Sequence, residues 1–360
     1  MNPVQKAAKQ KFISEWYNLR PILGNANWAL FYVLLGGREA GKSYSVTNFF
    51  VDQFVNKGIP FTWLRLTDKA AGKLLQNNAE KLIDPDLRRK YNLDLITNGN
   101  NVYHVSRRSS PDKNGKTRIL EKKLIARVYA ISTFYNDKGS IFDKDFLNDP
   151  AMRYNLALDE FELERSQKNT FDITYSLVNQ LENLVRSTKE RTKIFFLGNT
   201  LEEASDILCA FNFIPESWGI FKLKSKRCVI QNIEPSEEYK TRRKGTIADL
   251  LMPTASTFTN KIDTDNTLID KSNLVAPSYV IKFTKDKNDW FTVWNNNILV
   301  KYNGEKKPVV AMRPYLDELF NTEMQKNVFT LFDTRSFRFR NLITFKQFQQ
   351  QLELLKPRKS

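Results

Sequence analysis

Between Trp28 and about Ile233, short apolar runs alternate with stretches whose apolar residues recur at helical spacing. That alternation predicts an α/β domain, a mostly parallel sheet flanked by helices. The strand candidates are Ala29–Leu35, Pro60–Leu66, Val102–Val105, Leu124–Ser132, Asn155–Leu158, Thr192–Leu197 and Gly219–Leu223. Ahead of them, Asn2–Asn25 reads as a basic lead-in helix and a loop marked by Pro21 and Gly24. One interruption, RRSSPDKNGKTR (Arg107–Arg118), is rich in turn formers and charge, and predicts an exposed basic hairpin. After Pro235 the pattern changes to a charged helix, SEEYKTRRKGTIADLL, and then to a polar stretch, TASTFTNKIDTDNT. We read these as an interdomain linker. From about Val275 the runs SYVIKFT, DWFTVWN and ILVKYN predict a β-rich domain, which RSFRFR and a helix over Phe345–Leu355 complete. The expected division is an α/β domain over 1–234, a linker over 235–274 and a small α+β domain over 275–360.

The first apolar run, WALFYVLL, breaks into GGREAGKS and resumes as YSVTNFF. Gly36, Gly41, Lys42 and Ser43 fit the spacing of the phosphate-binding P-loop, and the motif lies where it must, after a buried strand and before a helix. Glycines let successive backbone N–H groups turn toward one phosphate chain. The nucleotide contacts expected are Gly36, Gly37, Arg38, Glu39, Ala40, Gly41, Lys42, Ser43 and Tyr44. Lys42 brings charge to the β- and γ-phosphates, and the Ser43 hydroxyl a ligand for Mg²⁺.

A second apolar run, YNLALDE, ends in Asp159 and Glu160. Asp159 is the candidate second ligand of Mg²⁺ and Glu160 the candidate base for the attacking water, the chemistry of ATP-hydrolysing motors. A third run, IFFLGNT, ends in Asn199, placed to sense the γ-phosphate. Arg186, Lys189 and Arg191 precede it, and any one of them could complete a neighbouring subunit's site. Two short GTPase-like patterns, Asn260–Asp263 and Asp112–Gly115, follow no buried strand and do not support guanine recognition.

Charge then narrows the partner. Lys and Arg number 56 against 40 Asp and Glu, a formal net charge of +16, which points to a polyanion. Nucleic acid comes first and an anionic membrane surface second. No apolar run approaches the ~18 residues a bilayer span needs, and MNPVQKAAKQKF lacks the apolar core of a secretory signal. Cys209 and Cys228 read as reduced core residues and His104 as a surface strand residue, so a cytosolic chain is expected. Candidate nucleic-acid contacts are Arg65, the patch Arg107, Arg108, Lys113, Lys116 and Arg118, and the tail residues Arg335, Arg338 and Arg340. On a strand, Arg338 and Arg340 share one face while Phe337 and Phe339 take the other. Such a face meets phosphates without reading bases.

Taken in order, these features resemble the DNA-packaging ATPases of small tailed phages of the phi29 type. The match runs through Arg38 inside GGREAGKS, Arg65 ending FTWLR, LALDEF, KERTKIFFLGN, the helix EEYKTRRKG, a small β-rich domain and a basic terminal helix. The resemblance implies a homo-oligomeric ring, with five subunits, at the portal (connector) of an empty phage head in the host cytoplasm. It implies that ATP hydrolysis with Mg²⁺ drives double-stranded viral DNA inward, and it allows a packaging RNA as a further partner. It also implies an RNase H-like C-terminal domain without nuclease activity. In agreement, SYVIKFT carries Lys282 and no acid where such a nuclease needs a metal-binding Asp. Rival readings are a helicase on single-stranded nucleic acid, a terminase with a live nuclease, and a regulatory nucleic-acid-binding protein that uses ATP as a switch.

Overall fold

The computed structural model describes residues 16–107, 118–134, 153–161, 174, 176–179, 181, 192–199, 205–251, 268–275, 277–283, 290–295, 297–302 and 322–355. The chain divides into two compact units. One comprises Met1–Leu201 with Pro215–Lys261, and the other Glu202–Ile214 with Ile262–Ser360.

The first unit begins with α1 (Arg20–Asn25), β1 (Phe31–Leu35) and α2 (Lys42–Lys57). Next come β2 (Phe61–Arg65), α3 (Asp68–Ala79), α4 (Pro85–Tyr91), β3 (Leu95–Asn98), β4 (Asn101–Arg107), β5 (Ile119–Ala130) and α5 (Ile131–Phe134). Then follow β6 (Tyr154–Asp159) and β7 (Thr192–Gly198). The second unit contributes α6 (Asp206–Ala210) before the chain returns to the first with β8 (Gly219–Leu223), β9 (Cys228–Asn232), α7 (Glu237–Arg243) and α8 (Ile247–Leu251). The rest of the second unit holds β10 (Pro277–Lys282), β11 (Trp290–Trp294), β12 (Ile298–Tyr302), α9 (Thr322–Asp333), β13 (Arg338–Phe339) and α10 (Leu342–Leu355).

The nine strands of the first unit form one sheet in the order β3-β4-β5-β2-β6-β7-β1-β9-β8. From β5 to β9 every pairing is parallel, and antiparallel strands close both edges. The centre is buried on both faces, which explains why β1 and β6 read as unbroken apolar runs rather than alternating ones. On one face α2 presents Val46, Phe50, Val51 and Phe54 at helical spacing. Phe50 packs against Phe195, Phe61 and Trp63, with ring centroids 5.3, 5.1 and 6.1 Å away.

Several boundaries differ from the sequence reading. Pro21 lies in the first turn of α1, where its missing N–H costs nothing, rather than in a loop. Strands β3 and β9 were not expected. CVIQN is a short run with two polar residues, and its pairing with β1 on one side and β8 on the other makes it a strand. β4 and β5 pair antiparallel on either side of the expected basic hairpin, whose residues 108–117 lie outside those described. The charged helix assigned to a linker belongs to the first unit, as α7, and residues 202–214 belong to the second unit.

In the second unit β10, β11 and β12 form an antiparallel meander, and β13 pairs with β12 in parallel. Phe348 on α10 is fully buried here, meeting Phe283, Phe291, Phe337 and Phe339 at 5.1 to 5.7 Å. In this unit Asp206 on α6 accepts from Gln350 and pairs with Lys346, tying α6 to α10. No helix among the described residues is long and apolar enough to cross a membrane.

Candidate nucleotide site

The order β2-β6-β7-β1 aligns the C-terminal ends of four parallel strands, the edge where open α/β sheets bind ligands. Residues from all four ends meet there. β1 runs into the GGREAGKS turn, β6 ends at Asp159, β7 at Gly198, and β2 at Arg65. One strand, β7, separates the loop-bearing strand from the acid-bearing one. Asn199, directly after β7, is level with the start of the loop, since Gly198 pairs with Leu35 and accepts from the Gly36 N–H at 3.3 Å.

The loop folds as its residues allow. Gly41 caps α2 at φ 90°, a left-handed conformation open to glycine without strain. Glu39 also takes positive φ, at 62°, and has no such freedom. Lys42 is buried, and its ammonium donates to the Gly36 and Gly37 carbonyls at 2.7 and 2.8 Å. The lysine therefore already occupies the concave side of the turn.

Ser43 Oγ lies 3.2 Å from Asp159 Oδ1, and Arg65 donates to Asp159 Oδ2 at 2.9 Å and to Glu160. Burial holds the Asp159 carboxyl above the ordinary carboxylate range, with Glu160 adding to the rise; Arg65, the Ser43 hydroxyl and Lys42 oppose it. Glu160 itself is exposed, and its backbone is left-handed at φ 52° while its N–H is held by the Leu197 carbonyl at 2.9 Å. A strained non-glycine residue at a strand tip is a frequent mark of a site. A hydroxyl beside a buried carboxylate is a hard oxygen pair of the kind Mg²⁺ takes, its remaining positions going to water and phosphate. Ser43 and Asp159 thus fit that ion.

Among the other expected residues, Arg65 departs most from expectation. It sits between the two acids with its side chain 14% exposed, rather than on an open surface for nucleic acid. Arg107 pairs with Asp94 at 2.5 Å and Arg118 lies just before β5, while Arg108, Lys113 and Lys116 fall outside the described residues. Arg186, Lys189 and Arg191 also fall outside them. In the tail, Phe337 and Phe339 are buried and Arg338 and Arg340 lie half-exposed, the alternation expected of a strand. Their guanidiniums donate to the Arg335 and Ser272 carbonyls at 2.9 and 2.7 Å. Cys209 and Cys228 are buried free thiols.

The structure also brings residues to the loop that were not foreseen: Trp16, Tyr17, Tyr239, Arg242 and Arg243. Tyr239 and Arg38 are 201 positions apart, and no local pattern could have joined them.

A loop with P-loop spacing after β1, an acid-bearing strand one removed from it and the mostly parallel sheet that carries both give the fold class of the P-loop ATPases. Among solved structures, the chain resembles the bacteriophage Phi-29 viral genome packaging motor assembly. The TM-score is 0.60 at 17% identity, covering 94% of this chain and 99% of that one. It also resembles the Phi-28 gp11 DNA packaging motor, with a TM-score of 0.58 at 15% identity over 96% and 99% of the two chains. No protein-family model matches the sequence, and a search of curated proteins finds no match. The likeness is one of fold, and it spans both units.

Proposed function

We propose that this chain is the ATPase subunit of a phage DNA-packaging motor, hydrolysing ATP to drive double-stranded DNA into a preformed head. One observation carries the reading. Ser43 and Asp159, from distant parts of the sequence, stand 3.2 Å apart at the mouth of a P-loop, in a fold shared with packaging motors.

In this reading the loop amides of residues 36–44 and Lys42 hold the phosphates, and Ser43 and Asp159 hold the magnesium. The ion supplies charge neutralisation at the transferring phosphoryl group. Glu160 takes the proton of the attacking water. Arg65 donates to Glu160 Oε2, and Oε1 is the oxygen that would accept that proton. Asn199, at the tip of the intervening strand, contacts the γ-phosphate. A basic residue of the 186–191 segment reaches the neighbour's site in a ring, with five subunits as the expected number.

The net charge of +16 supports a polyanionic track, contacted through Arg107, Arg108, Lys113, Lys116 and Arg118 and through Arg335, Arg338 and Arg340. Portal binding in the host cytoplasm and a packaging RNA belong to the same proposal. The second unit would grip DNA without cutting it, since β10 reads PSYVIK and brings no acid to its strand.

The test is Glu160→Gln. This variant should bind ATP as wild type does while turnover falls by about 10²–10⁴, the usual share of a general base. Undiminished turnover would remove Glu160 from that role. Turnover indifferent to duplex DNA in the assembled motor would remove the packaging reading.

A further inference from the structure

The P-loop is gripped from outside by two segments distant in sequence. On one side, Tyr239 of α7 donates to the Arg38 carbonyl and Arg242 to the Glu39 carbonyl, both at 2.8 Å. Arg243, almost fully buried, pairs with the Glu39 carboxylate at 3.2 Å. On the other side, the Tyr17 N–H donates to the Ala40 carbonyl at 3.0 Å, and the Tyr17 hydroxyl is anchored on Gln231 at 2.8 Å. The two sides meet where the Arg242 guanidinium stacks 3.9 Å from the Trp16 ring.

Glycine is needed where these segments press in. A Cβ at Gly37 would collide with the Tyr239 hydroxyl, and one at Gly41 would come within 2.9 Å of Trp16. Three successive carbonyls, of residues 38, 39 and 40, are thus drawn toward donors outside the loop. In a trans peptide the N–H points opposite to the C=O. Fixing those carbonyls outward therefore aims the N–H groups of residues 39, 40 and 41 into the turn, where a phosphate would sit. Left alone, the loop would have to order these peptides on binding, and Glu39 would have no support for its positive φ.

We propose that α7 and the Trp16–Tyr17 segment form a clamp that preorganises the P-loop. Tyr239, Arg242 and Arg243 are then positioning residues for nucleotide affinity. The proposal rests on the loop being the phosphate site. It adds that the affinity is set by residues two hundred positions away, in helix α7 of the same unit.

The experiment uses the full chain, with ATP and ADP as probes and magnesium present. Tyr239→Phe removes one hydroxyl and keeps the ring. It should raise the Kd for ADP and the KM for ATP roughly three- to tenfold, the loss of one hydrogen bond, with kcat changed less than twofold and the thermal midpoint lowered by no more than about 2–4 °C. Arg242→Ala should show the same split, and Arg242→Lys should recover only part of it because it cannot both stack and donate in a fixed plane. Unchanged affinity in Tyr239→Phe and Arg242→Ala, with wild type binding normally, would overturn the clamp alone. Equal losses in kcat and thermal midpoint without a KM shift would mark these residues as structural only and also overturn it. A wild-type chain that binds neither nucleotide would overturn both the clamp and the reading of the loop.

Discussion

Replacing Arg65 with Met tests the electrostatics of the site most directly, because it removes the guanidinium and keeps most of the aliphatic stem. In the wild type the Arg65 and Asp159 side chains are 14% and 11% exposed. With an effective dielectric near 20 and charge centres roughly 4 Å apart, their attraction is about 4 kcal/mol. Removing one partner of such a pair leaves a buried charge uncompensated, which costs about 3–5 kcal/mol. The Glu160 half of the fork adds at most about 1 kcal/mol, since that carboxylate is 58% exposed and solvent screens it. The variant should therefore lose about 3–5 kcal/mol, read as faster hydrogen exchange of the β6 amides in the intact chain. A divalent cation with ATP should recover much of the loss. Ligand at a hundred times its Kd returns about 2.7 kcal/mol, and the ion supplies the missing positive charge next to Asp159. A loss below about 1 kcal/mol would show that Arg65 does not hold the acids. A loss that magnesium and ATP leave untouched would show that Asp159 is not where the ion binds.

Two other perturbations follow from burial. Phe348→Ala should destabilise the second unit by about 3–5 kcal/mol, because its ring is fully buried among five other phenylalanines; β10–β12 amides that keep wild-type exchange rates would contradict this. Lys193 is pushed down to about 8 by burial, with Arg153 and Arg227 adding to the fall, while its ammonium donates to the Tyr32 hydroxyl and Asn27. Between pH 8 and its ordinary 10.5 the unfolded chain holds more protons than the folded one, so stability rises with pH across that window. Lys193→Met should remove that rise, and urea midpoints that run parallel for both proteins would refute the assignment.

The loop and the acid-bearing strand of the candidate site were legible in the residues themselves. GGREAGKS has the glycines of a tight turn after a buried strand, and YNLALDE is a short, mostly apolar run of the length a buried strand has. Both are local patterns, with the cause and the signal within a few residues of each other. The α/β class was legible for the same reason.

Tertiary structure alone decided which strand ends become neighbours. β7 inserts between β1 and β6, and β2 pairs with β6, so Arg65 reaches the acids instead of an open surface. Tyr239 reaches the loop from 201 positions away in the sequence, and a helix that reads as a charged linker packs on the loop of the first unit. Periodicity reports which face of an element is buried, but not what buries it. Pairings made across a hundred or two hundred positions leave no trace in any local window.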